Sequence, residues 1–197
     1  MKLGIDIGAI SVKIATLDAE GKVLSGSYTR HRGEPVPTLI TQIKELLQSI
    51  NPDEIEVVGI TGTGGKVVAK FLGTGFINEV IATTKAVEHL LPNTATIIEI
   101  GGEDSKLISL SYDGDRCFIS DFSMNTICAA GAGSFLDQQA SRMGLSIEEF
   151  SELSLKSEHP PRIAGRCSVF AKTDMIHSQQ EGSPVHDIIA GLCFAFA

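Results

Sequence analysis

No run of about 18 apolar residues occurs in this chain, which excludes a transmembrane helix. There is no long apolar leader with a small-residue cleavage site; Met1–Gly8 passes straight into a strand pattern, so a cytoplasmic location is expected. Basic residues are in deficit: the net charge is -8 and no basic stripe occurs, so neither a nucleic acid nor a membrane is an expected partner. No Cys-x-x-Cys pair occurs among the four cysteines, and reduced thiols are expected rather than disulfides. The histidines His31, His89, His159, His177 and His186 show no metal-ligand spacing and read as solvated or packing residues. The Walker spacing is absent as well, so Thr61–Gly65, although glycine-rich, is not a P-loop.

What remains is an ordinary globular composition, with 43% hydrophobic and 20% charged residues in 197. Lys2–Gly8, Val12–Leu17 and Val23–Tyr28 read as an antiparallel meander. Leu39, Ile40, Ile43, Leu46 and Leu47 recur at helical spacing up to Asn51-Pro52. Ile55–Ile60 reads as a buried strand, and Glu79–Leu91 as a helix with Asn78 as N-cap. Ala95–Ile100, Lys106–Ser111 and Cys117–Ile119 read as strands, with a turn at Asp113–Asp115. Helices are expected over Ala132–Met143, Ile147–Leu153, Ser168–Gln180 and from Val185 onward, with a capping box at Ser146 and Glu149. Helical apolar material runs to the last residue, which leads us to expect a chain cut within a longer protein.

The opening pattern returns. Gly4–Lys13 aligns with Ile97–Lys106 at a constant offset of 93, pairing Asp6 with Glu99, Gly8 with Gly101 and Lys13 with Lys106. A glycine lets backbone approach phosphate oxygens and offers them an N–H. A carboxylate ending a strand can hold Mg²⁺ through water. Asp6, Gly8, Ser11 and Lys13 are therefore candidates for one phosphate loop, and Gly101, Gly102, Glu103 and Asp104 for another. Either hairpin alone would read as an ordinary turn; the pair at one offset favours nucleotide binding.

Cys128 and Cys167 stand 39 positions apart, each just ahead of a predicted helix. Helix N-termini favour thiolate. Two ligands do not complete a four-thiolate cluster, though a two-fold dimer would supply four. Spacing alone leaves open the reading of buried small hydrophobes, which also stands for Cys117 and Cys193.

These segments resemble a known family. Gly4–Lys13, Ile98–Lys106, Asn125–Leu136 (with Cys-Ala-Ala-Gly-x-Gly) and Arg166–Ala171 (with Cys-x-Val-Phe-Ala) are similar to the ATP-dependent activators of 2-hydroxyacyl-CoA dehydratases and the ATPase subunits of benzoyl-CoA reductase. The resemblance implies an α/β fold of the actin, sugar-kinase and Hsp70-like (ribonuclease H-like) kind. It implies two duplicated domains, 1–92 and 93–197, the second incomplete at the C-terminus. It further implies ATP and Mg²⁺ at Asp6, Gly8, Lys13, Gly101, Gly102 and Asp104, with Gly131 and Gly133 in a glycine-rich turn. A homodimer would share one [4Fe-4S] cluster on Cys128 and Cys167, take electrons from ferredoxin or flavodoxin, and pass them to a 2-hydroxyacyl-CoA dehydratase or related reductase. The chain departs from the family pattern at Ala9-Ile10, where Ser-Thr is usual and Ser11 is the nearest hydroxyl, and at Glu99 and Glu103. Two rival readings remain: a non-redox nucleotide-binding scaffold, and a small-molecule kinase. The kinase would need a base, but Asp121, Asp137 and Asp174 read as strand-end and helix-surface carboxylates.

Overall fold

Alternation decides the first sheet. In β1 (Lys2–Ile7), Leu3, Ile5 and Ile7 share one face; Gly4 and Asp6 share the other. β2 (Ser11–Leu17) pairs antiparallel with β1, setting Ile14 against Ile5 and Val12 against Ile7. β3 (Val23–Arg30) pairs antiparallel with β2, while β4 (Val57–Thr61) runs parallel to β1. β5 (Gly75–Phe76) completes the order β3-β2-β1-β4-β5. The apolar face is covered by α1 (Pro35–Leu46), through Leu39, Ile43 and Leu46, and by α2 (Gly65–Leu72), through Val68 and Ala69. On the opposite face Gly26, Ala15, Gly4 and Gly59, in register across four strands, line a cavity of about 590 Å³.

α2 and β5 were not expected from the sequence. The helix has glycines at both ends, and Gly73 terminates it at a left-handed φ of 66°. α3 (Glu79–Leu90) begins as expected, with the Asn78 side chain accepting from the Val80 N–H at 3.0 Å. β6 (Thr96–Ile100), β7 (Ser105–Asp113) and β8 (Arg116–Met124) form a second sheet in that order.

The remaining helices are α4 (Gly133–Arg142), α5 (Ile147–Ser154), α6 (Ser168–Gln180) and α7 (Val185–Phe196). Ser146 and Glu149 make both bonds of the capping box. Phe135, Phe150, Met175, Ile188, Ile189 and Leu192 form the core of this bundle. The computed structural model describes residues 1–114, 116–125, 133–165 and 167–196. The chain divides into two compact units, residues 1–97 with 108–121 and residues 98–107 with 122–197. No helix among the described residues is long and apolar enough to cross a membrane.

Two carboxylates fasten the segment ahead of α6. Asp187 Oδ1 accepts from the Ser157 hydroxyl at 2.6 Å and from the N–H groups of Glu158 and His159 at 3.1 and 3.2 Å. Asp174, expected on a helix surface, accepts from the Ala164 N–H at 2.9 Å. A Cβ on Gly191 would lie 2.4 Å from the Pro161 carbonyl oxygen, so α7 meets this segment through bare backbone.

The Ser157 hydroxyl, followed by the two backbone N–H groups, holds the Asp187 carboxyl below the usual carboxylate range. Its stabilising effect is then complete above that range and lost as pH falls through the lowered folded value. Asp187→Asn is expected to lower the melting temperature at neutral pH, and the gap to the unaltered chain should shrink only as acidification proceeds below about pH 4. Calorimetry across pH checks this; a gap independent of pH would contradict it.

Candidate functional site

The first candidate loop leaves β1 after Ile7. Its turn closes when the Gly8 N–H donates to the Ser11 carbonyl at 3.0 Å. Beyond the turn, Lys13 lies opposite Asp6 in the ladder, and its Nζ donates to Asp6 Oδ2 at 2.7 Å. The Lys13 side chain is 44% exposed, so its ammonium faces solvent as well as Asp6. Ser11 is only 2% exposed, which leaves its hydroxyl inside the protein.

Thr61–Gly65, read from the sequence as glycine-rich but not a P-loop, packs directly on this loop. The Gly64 N–H donates to the Ile7 carbonyl at 2.9 Å. Gly62 has φ of 88°, and a Cβ there would lie 2.4 Å from Asp6 Oδ1 and 2.5 Å from the Ile7 carbonyl oxygen. Glycine is therefore required at 62 twice over, by conformation and by contact.

The second loop closes in the same way. The Gly101 N–H donates to the Asp104 carbonyl at 2.8 Å, reproducing the Gly8–Ser11 ring at an offset of 93. Lys106 Nζ donates to Asp104 Oδ1 at 2.7 Å and lies 3.7 Å from Glu99 Oε1. Unlike Lys13, Lys106 has a side chain only 2% exposed. Two lysines alike in sequence context thus differ in access: Lys13 can reach a ligand, while Lys106 is committed to its carboxylates. Glu103 is exposed at the tip of the loop.

α4 docks on this second loop. The Gly133 N–H donates to the Gly101 carbonyl at 2.8 Å, and the Ser134 N–H to the Gly102 carbonyl at 3.0 Å, joined by the Ser134 hydroxyl. Gly133, expected in a glycine-rich turn, has its N–H on the Gly101 carbonyl, and a Cβ there would lie 3.1 Å from that oxygen.

Cys167 is the N-cap residue of α6, in extended conformation (φ −154°, ψ 126°), and is half-buried. Its carbonyl accepts from the Ala171 N–H at 2.9 Å, and no side chain caps the helix. The thiol therefore shares the helix end with N–H groups that lack a helical partner. Cys193 differs: it packs against the helical core, and burial pushes its thiol up. Cys117 lies in β8. Cys128 and Gly131 lie outside the described residues. Among the described residues no cluster of three or more His, Cys, Asp or Glu forms a metal site.

Sequence reasoning gives His31 only a solvated or packing role. Its ring lies against the first loop, with Nε2 3.2 Å from the Gly8 carbonyl oxygen. The signal was weak, because the partner is 23 residues away and a lone histidine has no motif.

Gly62→Ala should destabilise the chain by about 2 kcal/mol or more, since it combines a left-handed φ with close approach to the Asp6 carboxylate and the Ile7 carbonyl. Chemical denaturation checks this, and a loss well under about 1 kcal/mol would contradict the close approach.

The chain matches the BadF/BadG/BcrA/BcrD ATPase family over residues 3–197. It is 30% identical over 191 residues to the 2-hydroxyisocaproyl-CoA dehydratase activator of Clostridioides difficile, covering 96% of this chain and 70% of that one. Among solved structures, the activator of the 2-hydroxyisocaproyl-CoA dehydratase from Clostridium difficile with bound ADPNP has a TM-score of 0.82 at 27% identity, covering 99% of this chain and 71% of that one. The Acidaminococcus fermentans (R)-2-hydroxyglutaryl-CoA dehydratase component A has a TM-score of 0.88 at 27% identity, covering 99% and 74%. The fold is accordingly that of these activator ATPases, actin-like, with mixed sheet and helices.

Proposed function

Because the chain belongs to the BadF/BadG/BcrA/BcrD ATPase family, we propose that it is an ATP-dependent activator that delivers electrons to a 2-hydroxyacyl-CoA dehydratase or a related CoA-thioester reductase. The observation that carries this reading is the pair of loops, each closed by a glycine N–H onto the carbonyl three residues on and each followed by a lysine held on a carboxylate. In this reading residues 1–92 and 93–197 serve as the two ATPase subdomains.

The residues have separable tasks. Gly8 and Gly101 let backbone approach the phosphates. Lys13, exposed and poised on Asp6, is the cation that meets phosphate oxygen. Asp6 and Asp104 are the carboxylates suited to Mg²⁺, which prefers oxygen ligands and retains water. Glu103, exposed on its loop, orients water, though its charge opposes the approach of a γ-phosphate.

Cys167 fits a thiolate ligand: a half-buried sulfur at the start of α6, on a segment that Asp187 and Asp174 fasten. With Cys128 it would hold one half of a [4Fe-4S] cluster, the second half coming from another copy of the chain. When bound, the cluster supplies one-electron chemistry at low potential, reduced by a ferredoxin or flavodoxin. The chain's own contribution is to hold the thiolates and to offer N–H donors at a helix terminus.

Two measurements test the proposal. Lys13→Met should weaken ADPNP binding by about 10- to 100-fold, the worth of a hydrogen bond to a charged group, with little change in stability. Anaerobic purification should give about four irons and four sulfides per dimer, lost in Cys128→Ala and Cys167→Ala variants that remain folded. No iron after anaerobic reconstitution would leave a non-redox ATPase, and unchanged iron in Cys167→Ala would remove that residue from the ligand set.

A further inference from the structure

The first loop carries a residue that no part of the nucleotide reading assigns. His31 follows β3 and is 9% exposed. Its backbone N–H donates to the Ile10 carbonyl at 3.1 Å, and its ring Nε2 lies 3.2 Å from the Gly8 carbonyl oxygen. The Gly33 N–H points at the other ring nitrogen, Nδ1, at 3.1 Å. A carbonyl only accepts and a backbone N–H only donates, so the hydrogen must sit on Nε2 and Nδ1 must be bare. Only the neutral Nε2–H imidazole satisfies both contacts. The chain turns through left-handed backbone at Arg32 (φ 48°) and Gly33 (φ 91°) immediately after the histidine, which brings Gly33 back to its ring.

We infer that His31 is a positioning residue for nucleotide binding: by holding the carbonyls of Gly8 and Ile10, it keeps those oxygens from turning toward phosphate. The inference rests on the nucleotide reading above. Its physical basis is the sign of the peptide dipole, since a carbonyl oxygen turned toward phosphate repels it and an N–H attracts it. The second loop supplies an internal control. There the carbonyl equivalent to that of Gly8 belongs to Gly101, 93 positions on, and it is held by the Gly133 N–H. Different donors meet the same carbonyl in the two loops, so the engagement recurs although the donor does not.

The test uses ADPNP affinity of the unaltered chain and of His31→Gln, His31→Asn and His31→Ala, with a melting temperature for each. A glutamine side-chain N–H reaches the Nε2 position, while asparagine reaches only Nδ1. His31→Asn and His31→Ala should bind ADPNP about tenfold more weakly, and His31→Gln should recover to within about threefold. Nitrogen-15 spectra of the imidazole should show the neutral Nε2–H tautomer. Affinities that follow melting temperature regardless of side-chain reach, equal affinity in all four chains, or an Nδ1–H tautomer would each overturn the inference while leaving the nucleotide reading intact. No ADPNP binding by the unaltered chain would overturn the nucleotide reading itself, and this inference with it.

Discussion

A backbone carbonyl repels an anion that an N–H attracts, and in the first loop four carbonyl groups are engaged within the protein. Along the first loop, the Ile7 carbonyl takes the Gly64 N–H, the Gly8 carbonyl takes the His31 ring, the Ile10 carbonyl takes the His31 N–H, and the Ser11 carbonyl takes Gly8. Those donors come from three stretches of chain: the turn itself, the end of β3 and the start of α2. The positions of β3 and α2 on the sheet are therefore tied to the state of a few peptide groups. In the second loop the Asp104 carbonyl takes the Gly101 N–H of the turn itself, and the Gly101 and Gly102 carbonyls take N–H groups from the start of α4.

Local pattern made much of the fold legible. Alternation in β1 and β2, the Asn78 cap and the Ser146–Glu149 box are short-range effects, and a single sequence carries them in full. α2 was hidden because Gly64 and Gly65 at its start read as turn; there they are demanded by packing, with a Cβ on Gly64 falling 2.7 Å from Ile7 Cγ2. His31, Asp174 and Asp187 were hidden for a different reason. Each acts on a backbone group 10 to 29 residues away, and nothing in their flanking sequence marks the partner.

The two loops also show how far a sequence repeat underdetermines behaviour. The 93-residue offset placed Lys13 and Lys106 in equivalent positions. Burial then separates them: a lysine enclosed beside two carboxylates would leave a buried charge unpaired if it let go, whereas one at the surface can exchange partners at little cost. Of such a pair, only the exposed member retains the freedom that a binding role needs. In the same way the cysteines are sorted by surroundings: Cys193 sits in apolar packing that disfavours thiolate, and Cys167 sits half-buried at the start of a helix.

The row of small residues across the first sheet has a thermodynamic consequence. Gly4, Gly26 and Gly59 lie within strands, where glycine is less favourable than alanine by roughly 0.5–1 kcal/mol because it loses more freedom on folding. A methyl group at these positions would meet its nearest neighbours at 3.8, 3.8 and 3.5 Å, ordinary contact distances. The sheet thus forgoes stability that alanine would provide at no steric penalty. Its open face is the part of this molecule where thermostability could be raised by single methyl groups, at the expense of the hollow that their absence creates.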